Sequence, residues 1–190
     1  MRVYWVLGIA MASALSASAR ECTVAVYIRG DPMPPGLLPI AKLKSQAMFR
    51  EIGVDVEWRH GATEAPREND CGAPLVVEIH AVTPGNASPH ALASASPYRT
   101  SGISIHVYLQ RVLDTQGVMG APYLLAHVLT HEITHVLENI SRHSERGVMK
   151  ANWTFADYGG MRSHPLPFAP EDVQMIHLGM ARRMKLAASR

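Results

Sequence analysis

Residues 131–135 read His-Glu-Ile-Thr-His. On a helix, residues four apart share a face, so the rings of His131 and His135 can reach one ion. Neutral imidazole nitrogen is a good ligand for Zn²⁺, at about 2.0–2.1 Å. Glu132 follows the first histidine and can meet water beside the ion rather than the ion itself, in the place of a general base. The chemistry this pattern points to is hydrolysis by water activated at a metal.

A catalytic zinc usually takes three protein ligands and keeps one position open. Glu138 lies on the face of the histidine pair, but seven residues along the helix place it about 10 Å from His131. The third donor must therefore come from chain that has turned back. Asn139 can end the helix, because Asn tolerates the left-handed conformation. His143 comes after that turn and is the expected third ligand. His127, one turn before His131, is expected to support the pair or to pack. Asp157, His164 and Glu171 remain as alternative donors. Soon after His143 comes Gly147-Val148-Met149, where an apolar Met149 can form a floor beneath the histidines.

These residues need a scaffold, and the apolar spacing outlines one. Residues 22–29, 54–58, 75–82 and 103–109 read as strands. The last alternates apolar Ile103, Ile105, Val107 and Leu109 with Ser104, His106 and Tyr108. Residues 37–52 have helical spacing and stop at Gly53. Residues 59–73 read as a loop, and 83–102 as a long surface loop or flap. The motif helix is expected over 121–140, with Pro122 in its first turn. A last helix begins at Pro170-Glu171-Asp172 and runs to about 186. The fold class expected is α/β (α+β): a twisted mixed sheet of about four strands, a backing helix, the motif helix, and a small irregular C-terminal lobe with a final helix.

The motif and the residues after it resemble the metzincin clan of zinc metallopeptidases, with their HExxHxxGxxH sequence and Met-turn. Residues 121–153 carry the resemblance. It implies a zincin-like fold, one Zn²⁺ held by His131, His135 and His143, Glu132 as the catalytic base and Met149 as the turn methionine. It also implies a peptide or protein substrate, laid along the edge strand above the active helix, here expected at 103–109. Two positions differ from the clan pattern. Glu138 stands where the clan has Gly, and Ser141 where it has the third His; His143 comes two residues later. A variant of this spacing is seen in short secreted bacterial proteins. The gluzincins, another HExxH class, take a downstream Glu instead, for which Glu171 would be the candidate. Tyr158 and His164 are candidates to bind substrate or the transition-state oxyanion.

Residues 1–19 contain one Arg, an apolar run of about 13 residues and the small-residue end Ala17-Ser18-Ala19, the pattern of a cleaved secretory signal. Residues 20–190 then form one catalytic domain. The run is short for a membrane span, which needs about 20 residues. Export favours disulfides, so Cys22 and Cys71 are expected to pair. The localisation expected is secreted or periplasmic. At 47% hydrophobic and 18% charged, the 190-residue chain can bury a core, which excludes a disordered chain or a coiled coil. A net charge of +2 gives no reason to expect nucleic-acid binding. The reading is a secreted zinc-dependent endopeptidase. The competing readings are a zinc-binding envelope or interaction protein without turnover, its site closed by a fourth ligand such as Asp157 or His164, and a metal-free adhesion module.

Overall fold

The computed structural model describes residues 22–97, 102 and 104–189. The expected signal at 1–19 and strand residue Ile103 lie outside the described residues. Five strands form one mixed sheet: β1 (Thr23–Gly30), β2 (Asp55–Arg59), β3 (Leu75–His80), β4 (Ala93–Ala95) and β5 (Ile105–Tyr108). Their order across the sheet is β2-β1-β3-β5-β4. All neighbours are parallel except β4, which runs antiparallel to β5.

Alternation along the strands sends Val24, Val26, Val77, Ile79, Ile105 and Val107 to one side. There they join a single core with the helices α1 (Leu37–Glu51) and α2 (Leu109–Glu138). α1 contributes Leu37, Ala41 and Phe49. From Ala121 to Glu138 nearly every residue of α2 is buried, as expected of a helix enclosed on all sides rather than lying on a surface. The fold class thus agrees with the sequence reading, with one strand more.

Two expectations need correction. The sequence reading makes the strand at 103–109 the edge, but β5 is internal, between β3 and β4. The edge is β4, inside the segment that reads as loop or flap. Its three residues, Ala-Ser-Ala, lack the β-branched and aromatic side chains that mark strands, and pairing with β5 alone makes the strand. The motif helix also begins earlier than residue 121. Leu109 opens α2 rather than ending a strand, and Gly117 breaks the helix with φ 59° and ψ 176°. Pro122 then falls just after that break, where the backbone has few helical partners to lose.

The short helix α3 (Phe155–Gly160) and the last helix α4 (Pro170–Ala188) complete the chain. α3 is closed by a capping box between Thr154 and Asp157. α4 crosses the end of α2 at Gly179, where any Cβ would collide with the Leu137 carbonyl oxygen. Cys22 and Cys71 are joined by a disulfide. Closing a loop of 49 residues stabilises the fold by about 4 kcal/mol on chain-entropy grounds. Among the described residues no helix is long and apolar enough to cross a membrane.

Candidate metal centre

α2 carries His131, Glu132 and His135 through the middle of the molecule and ends where the sequence suggests. Asn139 adopts φ 56° and ψ 41°, and its N–H closes on the His135 carbonyl. The chain then turns back and brings His143 to the pair. The ring centroid of His143 lies 5.2 Å from that of His131 and 5.0 Å from that of His135. One ring nitrogen from each of the three lies within 4.8 Å of the others.

The backbone decides which nitrogens face inward. His131 Nδ1 lies 2.9 Å from the Val148 carbonyl oxygen, and His135 Nδ1 lies 3.1 Å from that of Ile140. A carbonyl only accepts, so both Nδ1 atoms carry the proton. Burial, with the neighbouring His135, pushes the His131 imidazole down to about 3; burial, with His143, pushes His135 down to about 4. Both rings are therefore neutral near pH 7, with bare lone pairs on Nε2. Those two Nε2 atoms stand 3.1 Å apart. Two lone pairs at that separation repel unless a cation lies between them. The donor set fits a zinc-type ion, which prefers imidazole nitrogen and spaces tetrahedral donors about 3.3 Å apart.

Glu132 lies against the edge strand. The Ser96 N–H donates to Ser104 O across the ladder, so the Ala95 N–H turns outward, and it donates to the Glu132 carboxylate. Burial pushes this carboxyl up to about 8, partly opposed by the Ala95 hydrogen bond.

The bend that holds His143 is tied to α4. Its two neighbours, Arg142 and Ser144, both donate to Asp172 Oδ1, at 2.7 and 2.6 Å. Asp172 is fully buried at the start of α4, and its other oxygen accepts from the Ala169 N–H. At the turn, the Val148 N–H donates to Pro167 O. Gly147 has φ 76°, and a Cβ there would collide with the same oxygen, so the turn requires glycine. Met149 is buried in a small cluster with Met48 and Val148, packed by Trp153, Leu166 and Phe168. The turn reaches the site directly through the Val148 carbonyl.

The remaining candidates stand apart from the triad. Among the described residues, neither Asp157, His164 nor Glu171 groups with the three histidines. Asp157 caps α3 and pairs with Lys150. His164 is exposed and bonds Ser163. Glu171 is exposed on the first turn of α4. His127 is buried with both nitrogens engaged, Nδ1 on Tyr123 O and Nε2 accepting from the Leu166 N–H, so it packs rather than ligates. Glu138 points into the interior near Arg142, and burial pushes its carboxyl up to about 7. Tyr158 packs edge-on against Trp153, ring centroids 6.4 Å apart, and Trp153 in turn packs edge-on against His131 at 5.7 Å.

Sequence reasoning missed Trp153, Arg142, Ser144 and Asp172. A capping acid at the third position of the last helix was the only signal for Asp172. The backbone groups of Ala95, Ile140 and Val148 carry no residue-type signal at all.

No protein-family model matches this chain, and no curated protein matches it in sequence. Among solved structures, an archaemetzincin from Methanopyrus kandleri superposes on it with a TM-score of 0.53. The match covers 88% of this chain and 100% of that chain, at 16% sequence identity. Identity this low speaks for the fold alone, and the fold of this chain is zincin-like.

Proposed function

We propose that the protein is an exported zinc-dependent endopeptidase of the metzincin type. The observation that carries this reading is the pair of neutral imidazoles whose bare Nε2 atoms face each other at 3.1 Å, with His143 in reach and a carboxylate next in sequence. Bound by His131, His135 and His143, zinc would supply a Lewis acid that polarises a scissile carbonyl and makes water acidic near pH 7.

The chain's own residues do the rest. Beside a bound cation the burial-raised carboxyl of Glu132 would be ionised at neutral pH, and it then takes the proton from the attacking water and passes it to the departing amine. The Ala95 N–H holds that carboxylate in place. The Val148 and Ile140 carbonyls fix the tautomers and aim both Nε2 atoms inward. Among the described residues no strand covers the outer side of β4, whose remaining backbone groups could pair with an extended peptide running past Glu132. Met149 packs the turn from which the Val148 carbonyl projects. The Cys22–Cys71 disulfide and the pattern at residues 1–19 support export to the periplasm or the exterior.

Replacing Glu132 by Gln tests the reading. Cleavage of a peptide library should fall by about 10²–10⁴-fold while zinc content is unchanged. Full activity in that variant would refute the assignment.

A further inference from the structure

The sheet carries a second cluster of metal-ligand side chains, on the face opposite α2. Glu78 and His80 alternate with the core residues Val77 and Ile79 along β3, and His106 alternates with Ile105 and Val107 along β5. Glu78 and His106 stand directly opposite each other in the parallel register. All three side chains are partly exposed, at 29%, 25% and 32%.

Their geometry is close to that of a coordination triangle. His80 Nε2 lies 2.9 Å from His106 Nδ1. Glu78 Oε2 lies 3.7 Å from the first nitrogen and 3.8 Å from the second. A hydrogen bond between the rings accounts for the first distance only. It leaves the carboxylate oxygen almost equidistant from both nitrogens and beyond hydrogen-bond range of either. A circle through three points so separated has a radius of about 2.0 Å, the length of a Zn–N or Zn–O bond. One ion therefore satisfies all three distances. The approach of the two rings also matches the 3.1 Å between His131 and His135 in the first site.

The surroundings fix the rings. Tyr108 packs its ring 6.3 Å from that of His80, and its hydroxyl bonds Ser94 at 3.0 Å. Arg111 stacks on Tyr108 and is engaged by the carbonyls of Ser88 and Ala91. Arg29 stands opposite Glu78 on β1, yet the Glu78 oxygen turns to the histidines.

We infer that Glu78, His80 and His106 form a second metal site, which takes a divalent transition ion of the zinc type and clips β3 to β5. Two imidazoles and one carboxylate suit zinc and its neighbours better than calcium or magnesium, which prefer oxygen. The clip would hold the strand that runs directly into α2. This site does not depend on the peptidase reading.

Zinc binding by equilibrium dialysis of the purified protein tests it, on the wild type and three variants checked for native circular dichroism. The wild type should bind two equivalents. His131→Ala/His135→Ala and His80→Ala/His106→Ala should each bind one. Glu78→Gln, a near-isosteric surface change, should weaken one of the two sites by at least the 10–100-fold that lesser changes around metal ligands cause. Should the histidine variant of the sheet fail to fold, the Glu78→Gln titration decides alone. A single equivalent that the sheet variant removes and the helix variant keeps would support this site and contradict the peptidase reading. Wild-type stoichiometry in the sheet variant, or unchanged affinity at both sites in Glu78→Gln, would overturn the inference.

Discussion

His131 and His135 are held from behind by carbonyls, whereas His143 is exposed and reaches the pair from a loop. The consequences of removing them differ. His143→Ala should leave the melting temperature of the zinc-free protein nearly unchanged, since an exposed ring contributes little packing. The same variant should weaken zinc binding at this site by more than 10-fold, read by competition with a chromophoric chelator. Equal zinc affinity in that variant would remove His143 from the ligand set. Ligand types and their spacing were visible in the sequence because the chemistry demands particular side chains at particular intervals. The groups that orient them were not. Val148 O, Ile140 O and the Ala95 N–H belong to backbone, which every residue carries, and only the fold selects which ones face the site.

Among the elements, α4 positions the bend that carries His143. Asp172→Ala would leave Arg142 and Ser144 without their shared acceptor and should cost about 2–3 kcal/mol in urea unfolding. It should also lower zinc affinity at the first site, although Asp172 is not a ligand. A second substitution, Gly179→Ala, forces α4 away from the Leu137 carbonyl and should cost about 1–3 kcal/mol. Unfolding midpoints equal to wild type would show that α4 does not brace α2. Long elements were legible, α1 and the core of α2 from apolar spacing and α4 from the Pro-Glu-Asp start of its first turn. Short ones were not. β4 has three small residues and exists because β5 offers it a ladder. Residues 109–116 lacked an evident start signal, so the sequence reading begins the helix at residue 121, although it already starts at Leu109 and resumes after the break at Gly117.

At the scale of the whole molecule, the fold is a core-centred sheet closed by a disulfide and by a buried ion pair. Arg59 donates two hydrogen bonds to Asp70, at 2.8 and 2.6 Å, just before Cys71. Burial alone would raise the Asp70 carboxyl, but the Arg59 hydrogen bonds and the Arg67 N–H outweigh it and hold it below the usual carboxylate range. A carboxyl depressed in the folded state stabilises above its unfolded pKa of about 3.9 and loses that contribution as pH falls through its folded value. Asp70→Ala should therefore cost about 2–3 kcal/mol at pH 7, because it leaves the buried Arg59 with only the half-exposed Glu57 as partner, and the difference from wild type should shrink below about pH 4. Denaturant titrations at pH 7 and pH 3 measure both; a gap that widens on acidification would contradict the assignment. The fold class was readable from the order of the periodic segments, and the pairing of Cys22 with Cys71 from the export pattern. The strand order was not, because nothing local to β5 reveals that a neighbouring segment covers its edge.

The central claim is that three imidazoles hold one zinc beside Glu132 with a position left open. Anomalous diffraction at the zinc edge, on crystals of the zinc-loaded protein, addresses it without reference to any substrate. A peak is expected about 2.0–2.1 Å from Nε2 of His131, Nε2 of His135 and one ring nitrogen of His143, with no fourth protein donor. No peak among those rings, or a peak closed off by a fourth side chain such as Asp157 or His164, would contradict the account.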